Sequence, residues 1–441
     1  MMKVLVVGGG AREHAICLAL KKSGTEIYSF MKNSNPGIKR IAKDYFLHDE
    51  CDAEKVASYA ISKNIELAIV GPEAPLQAGV TNLLMKNGIA VASPSQQAAE
   101  IETDKEFMRK LMKKYRIKGS IRFGAFSDAS SAEEFINELQ GNVAVKPVGL
   151  TGGKGVKVYG SHFNSVREAT EYVKEVISKK IGGKSRVLIE ERMVGEEFTL
   201  QAFCDGKNIF PMPLVQDYKR LLPNDEGPNT GGMGSISSKD FLLPFIEKDE
   251  YEEACIILQK IIEALKKERR EYRGVIYGQF MLTPQGVKVI EINARFGDPE
   301  AMNVLSILKT DFAEICYGMA EGNLRSKMIS FDEKSTVCKY VVPCGYGYVP
   351  VENREIFVDE KRIEEEGGKI FYASVNEENG KIYTTKSRSL AILGIANEIY
   401  EAEEVCEKCL KYVKGDIFIR HDIGKKETIE KKIMSIKMWR G

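Results

Sequence analysis

Glu291-Ile292-Asn293-Ala294-Arg295 is the stretch of this chain best equipped for chemistry. Alternate side chains of a strand share a face, so Glu291, Asn293 and Arg295 line up while Ile292 and Ala294 turn to the core. A carboxylate beside a carboxamide oxygen is an all-oxygen site of the kind Mg²⁺ prefers, and Mn²⁺ accepts the same donors. An arginine one step further can grip a phosphate oxygen. The preceding residues read as the other arm of a hairpin, with runs 275–282 and 287–292 flanking Thr283-Pro284-Gln285-Gly286. Pro284 suits the first position of a type I turn, and Gly286 the left-handed residue that closes a three-residue loop. With Thr283 facing Val287, the register sets Gln279 opposite Glu291 as a third oxygen donor. A polar face on a solvated strand would look the same in this segment alone.

Upstream, Val143-Ala144-Val145-Lys146-Pro147 leads into Gly149-Leu150-Thr151-Gly152-Gly153-Lys154-Gly155. A Walker loop would run from its lysine into a helix, whereas Lys154 is followed by Gly155 and a strand. A glycine-rich hairpin between strands can fold over phosphates, its amides donating to them, with Lys146 as a point charge. Glu190 and Glu191 end a further strand, and Gly195-Glu196-Glu197 opens the next. Carboxylates at such a hinge can accept from an adenine amino group or ribose hydroxyls.

These segments need scaffolds. Residues 1–103 alternate strand and helix, the pattern of a doubly wound parallel sheet that binds ligands beyond its strand ends. Gly8-Gly9-Gly10 follows the first strand there, and Gly71-Pro72-Glu73 a later one. The first turn fails the dinucleotide fingerprint: Glu13 stands where a third glycine belongs, and no acidic residue follows Phe30. That argues against an NAD oxidoreductase and leaves a monophosphate site at a helix N-terminus. Residues 104–330 read as α+β with the flap unit at 121–194, and 331–441 as a separate small α/β cap ending in a helix over 390–413. Residues 225–234, rich in glycine and poor in packing residues, read as a long functional or disordered loop.

The chain has 441 residues, 43% apolar and 29% charged, with a formal net charge of +1. Neither nucleic acid nor membrane is indicated by that balance, and no apolar run reaches a membrane span. Nine cysteines, an odd number among apolar neighbours, suggest reduced buried thiols in a cytoplasmic enzyme. Cys406 and Cys409 form a lone C-x-x-C without a second pair or a nearby histidine, which favours a packing role.

In order, the motifs G-P-E-A-P-L, K-P-V-G-L-T-G-G-K-G, Q-D-Y-K-R, G-P-N-T-G-G-M-G and E-I-N-A-R-F-G-D-P-E give the chain a strong resemblance. It resembles the phosphoribosylamine–glycine ligase (glycinamide ribonucleotide synthetase) family of the ATP-grasp superfamily. The resemblance implies ligation of glycine to 5-phosphoribosylamine with ATP through a glycyl phosphate, by a monomer or homodimer acting on small molecules. It also implies roles. Gln279, Glu291 and Asn293 would hold Mg²⁺ or Mn²⁺. Lys105, Lys146, Gly149, Gly152, Gly153, Lys154 and Gly155 would hold the phosphates of ATP, and Glu190, Glu191, Val194 and Glu197 its base and ribose. Arg295, Lys146, Asp217 and Lys219 would act in catalysis. Gly10, Glu13, Glu73, Arg220, Gly297, Asp298 and Pro299 would bind substrate. A carboxylase-type relative and a non-catalytic nucleotide-binding regulator are the remaining rivals. Tyr218, Ser93 and Asp104 depart from the family pattern of His, Gly and Ser.

Overall fold

The computed structural model describes residues 1–151, 155–325 and 329–440, so Gly152, Gly153 and Lys154 lie outside the described residues. The N-terminal sheet is parallel, with strands in the order Asp44–Leu47, Glu26–Met31, Lys3–Val7, Leu67–Val70, Ala90–Val91. Its direction of winding reverses between Lys3–Val7 and Leu67–Val70, so the turns at Gly8 and Gly71 open on one crevice. The two turns also touch. A Cβ on Gly71 would lie 2.0 Å from the Glu13 carboxylate, which fills the space between them.

A four-stranded antiparallel sheet orders Phe123–Phe126, Val187–Glu191, Val143–Pro147 and Lys157–Val158. Helices Ala129–Glu138 and Val166–Lys179 contribute Ile136, Val173 and Val176 to its core, a hydrophobic cluster distinct from the main one. Chain then crosses at Gly195, where a Cβ would meet the Leu282 carbonyl oxygen at 2.0 Å; only glycine permits that approach. Beyond it lies a second antiparallel sheet, Ile209–Pro211, Glu196–Asp205, Arg273–Thr283 and Gly286–Asn293, backed by helix Lys248–Lys267.

The hairpin register differs from the expected one in an instructive way. Thr283 pairs with Gly286 and Leu282 with Val287, one residue out of step with the expectation of Thr283 against Val287. A β-bulge between Gln279 and Phe280 on one side, spanning Ile290 on the other, then resets the pairing, so that Gln279 does face Glu291. Gly286 takes φ +90°, as the turn reading required.

Three further expectations are corrected. The run 390–413 is not one helix: Leu390–Ala396 is a buried strand, and the helix spans Ile399–Leu410. Seven consecutive apolar or small residues fit a strand buried on both faces, which periodicity alone does not separate from helix. Residues 225–234 are not a structureless loop, since Glu226–Asn229 pairs with Arg220–Leu222 and Met233 is fully buried. Nor is the C-terminal part a detached cap. Its strand Ser335–Pro343 pairs with Gly234–Ser237 in one six-stranded sheet, and buried Asn33 and Asn35 donate to the carbonyls of Ala373, Val375 and Tyr372. Cys406 and Cys409 are buried on the helix there, their thiols against the carbonyls of Ile392 and Ile363.

Candidate active site

Lys146 and Lys105 approach the same place from two elements. Lys146 is on the buried strand of the flap unit, with its Nζ 2.7 Å from Glu190. Lys105 begins helix Lys105–Lys114, which Asp104 caps by accepting from the Phe107 amide at 2.9 Å. Its Nζ donates to the Gly149 carbonyl at 2.8 Å, tying helix to flap root. Burial lowers the Lys105 pKa, while Glu291 opposes that shift. Asp104 thus serves the cap that a serine would serve.

Glu190 does not lie open to a base or ribose, contrary to expectation. It is buried, and takes Arg109 Nε at 2.6 Å as well as Lys146. Burial pushes its pKa up, but Arg109 and Lys146 win and hold it at about 2. The bulge residue Ile290 completes this group: its carbonyl accepts from Arg109 at 2.9 Å and from Lys146 at 3.4 Å. One irregularity therefore frees a carbonyl for two cations and aligns Gln279 with Glu291. Arg109 carried no motif signal. Glu191 remains half-exposed at the hinge and accepts from the Arg122 amide at 3.0 Å.

Gln279 donates through Nε2 to Glu197 at 2.6 Å, and its buried Oε1 has no partner among the described residues. Burial raises the Glu291 pKa, but Lys219, Lys146, Lys105 and Arg295 outweigh it and keep the carboxylate charged. Asn293 is buried beside it, Nδ2 to Oε1 at 3.5 Å. An orphaned amide oxygen, a charged carboxylate and a second amide suit a hard divalent cation. Among the described residues no three His, Cys, Asp or Glu side chains form a metal cluster, so the amide oxygens are needed to complete one.

Arg295 reaches Glu102 at 2.9 Å and Glu73 at 3.5 Å. Burial raises Glu73, yet Arg295 and Arg12 hold it at about 2. Glu102, which the motif reading passed over, also accepts from the Ala294 amide at 2.6 Å. Burial pushes its pKa to about 7, with Glu73 and Glu291 adding to the shift against Arg295. A carboxylate three residues before Lys105 was the available signal.

Asp217, Lys219 and Asp298, expected on the substrate side, are placed by loops from two directions. Asp217 is raised well above an ordinary carboxylate by burial and by Glu300, and its Oδ1 has no partner among the described residues. Lys219 is lowered by burial, but Glu197, Glu291 and Asp217 raise it overall. Between them Tyr218 turns to the C-terminal segment, its ring flanked by Arg420 at 5.2 Å and Lys432 at 5.3 Å. Replacing a histidine there changes that packing rather than the polar residues on either side.

Gly297 donates to Gln201 at 2.8 Å, and Asp298 binds Arg388 at 3.2 Å and accepts from the Tyr340 hydroxyl. Pro299 lies against Gly232, where an added Cβ would come within 2.8 Å. Arg388 also donates to the carbonyls of Gly231 and Gly232, so a residue with no motif signal clamps both glycine-rich loops. Arg220 donates to Gly227. Glu13, expected to meet substrate, is committed inside its turn: it accepts from Gly10 N at 2.7 Å and Arg12 Nε at 2.6 Å. Ser93 is likewise spoken for, accepting from Val70 N at 2.9 Å.

Lysines brought from two elements to an oxygen-lined strand pair are the build of an ATP-grasp enzyme. The match runs along most of the chain. Residues 2–102, 103–301 and 336–426 fit the family models for the phosphoribosylglycinamide synthetase N, ATP-grasp (A) and C domains. The chain belongs to the phosphoribosylglycinamide synthetase family. It is 52% identical to a phosphoribosylamine–glycine ligase of Methanococcus vannielii over 99% of each chain. The crystal structure of the Thermotoga maritima phosphoribosylamine–glycine ligase superposes with a TM-score of 0.81 at 26% identity, covering 96% of this chain and all of that one. A biotin carboxylase domain from Hydrogenobacter thermophilus, solved with MgADP and bicarbonate, shares the fold at 17% identity and a TM-score of 0.73 over 99% of this chain and 93% of its own. Among the described residues no helix is long and apolar enough to cross a membrane.

Proposed function

We propose that the chain joins glycine to 5-phosphoribosylamine, coupled to ATP cleavage, giving N1-(5-phosphoribosyl)glycinamide, ADP and phosphate in purine synthesis. A glycine carboxylate oxygen bonds to the γ-phosphorus as the bond to ADP breaks. The amine nitrogen then attacks the carbonyl of the glycyl phosphate, phosphate leaves, and the nitrogen gives up one proton. Such chemistry runs on positioning and charge neutralisation rather than on a protein nucleophile. Lys105, Lys146 and the flap neutralise the phosphates, and Arg295 faces charge that develops in transfer. Asp217 and Lys219 orient the amine, and Asp298 with Pro299 borders glycine. Bound Mg²⁺, or Mn²⁺ in its place, would lie on Gln279, Glu291 and Asn293 and draw negative charge from the phosphates.

The observation that carries this reading is the unpartnered Gln279 Oε1 opposite the charged Glu291. A coupled ADP assay with glycine, alanine and bicarbonate tests it, hydroxylamine trapping the acyl phosphate. Turnover that requires glycine and 5-phosphoribosylamine is expected. Faster ADP release with bicarbonate than with glycine would sink the assignment in favour of a carboxylase.

A further inference from the structure

Past the stretch matched by the C-domain family model, which ends at residue 426, the chain forms one more helix, Lys426–Arg440. That helix lies on the ATP-grasp unit rather than on the sheet it follows. Lys432 pairs with Glu196 at 3.1 Å and Asp225 at 3.6 Å, and Arg440 with Glu247 at 2.7 Å and Glu250 at 2.5 Å. Ile436 is buried beneath it. These anchors bring its last turn to the hinge that follows Glu190 and to the tip of the hairpin that carries Gln279 and Glu291. There a cavity of about 430 Å³ lies between the hinge 191–194, the hairpin tip Thr283-Pro284-Gln285, and Trp439. That volume falls in the ordinary range for small-molecule sites.

We propose that Trp439 forms part of the adenine subsite, its indole packing against the base of the nucleotide whose phosphates lie at Lys105 and Lys146. The inference rests on the ATP reading of the cleft. Glu191 and Val194 of the hinge line the cavity, and among the described residues lining it Trp439 is the one aromatic ring. A base offers a π-face to an indole, whatever its hydrogen bonds. The C-terminal helix thereby becomes part of the nucleotide site.

Trp439 is the sole tryptophan of the chain, so its fluorescence reports on that place alone. Calorimetric titration of MgADP into the full-length protein first establishes nucleotide binding without reference to the indole. No binding there would overturn the ATP reading itself. With binding established, a saturable change of tryptophan emission at the calorimetric Kd is expected. Replacement W439A should weaken MgADP about tenfold, the worth of a stacked base, and leave magnesium tripolyphosphate within about twofold. Replacement W439F, which keeps an aromatic face and most of the packing, should restore ADP to within about threefold of the parent. The proposal is overturned by silent fluorescence with an unchanged ADP affinity in W439A. An equal loss of ADP and tripolyphosphate would overturn it too, because that is the mark of a merely structural contact.

Discussion

Replacing Glu190 by Gln tests how Lys146 is held. The Glu190 side chain is 1% exposed and Arg109 fully buried, and Lys146 shares the same carboxylate. Removing one member of a buried ionic group costs about 3–5 kcal/mol, because the remaining charges lose their compensation in a weakly polarisable surrounding. At about 1.4 kcal/mol per decade, local opening of the flap sheet should rise by roughly two to nearly four orders of magnitude. Amide hydrogen exchange of strands Val187–Glu191 and Val143–Pro147 is the assay. The pKa of about 2 gives a second signature. A depressed folded pKa contributes stability that is present above the ordinary 4.5 and lost as pH falls toward 2, so the Gln variant should lack that acid-dependent loss. Replacing both Glu190 by Leu and Arg109 by Met removes one of the two uncompensated cations and should regain part of the protection, but not the affinity for ATP, since Lys146 has then lost its partner. Protection in Glu190→Gln within about threefold of the parent, or roughly 0.6 kcal/mol, would refute the reasoning.

Deleting Ile290 removes the bulge and, with it, the carbonyl that Arg109 and Lys146 share, while Glu291 closes up behind Val289 and stays opposite Gln279. Lys146 then loses one of its anchors, and the KM for ATP should rise about tenfold in steady-state assay with little change in circular dichroism. Glu102 predicts a pH limb. Its pKa of about 7 means that it releases Arg295 on protonation, so turnover should drop as pH falls through 7, and Glu102→Gln should flatten that limb. Stability runs the other way, because a raised folded pKa contributes most below the ordinary 4.5 and loses that contribution as pH rises through 7; calorimetry against pH reads it. Gly195→Ala places a methyl 2.0 Å from the Leu282 carbonyl. The hinge must shift, and the KM for ATP should rise about tenfold in steady-state assay.

The N-terminal sheet was legible because buried parallel strands separated by amphipathic helices leave a period that few other folds share. Gln279, Glu291 and Asn293 were legible for a similar reason, since a hairpin with a proline-glycine turn confines its own register to within one residue. That last residue was not legible: the turn closes at Gly286, and only the bulge at Ile290 brings Gln279 back to Glu291. Bulges depend on what the freed carbonyl can bond, and here its partners, Arg109 and Lys146, come from other elements. Glu190 was misread because a strand-end carboxylate looks alike whether solvated, ligand-facing or buried between two cations. Arg388 and Trp439 left no local trace, being ordinary residues until the C-terminal part folds back on the central sheet.

By itself the sequence determined the chemical types present: lysines beside glycine-rich turns, carboxylate and amide oxygens alternating on one strand, and glycines where backbone must approach backbone. It also determined the local elements that carry them, because those follow from periodicity and turn chemistry over a few residues. The tertiary structure alone decided which charges are compensated and by whom. Glu13 closes its own turn, Glu190 anchors Lys146, Glu102 steadies Arg295, and Arg388 ties together two loops from the far end of the chain. Charge compensation depends on distance and burial in three dimensions, and residues far apart in sequence supply it.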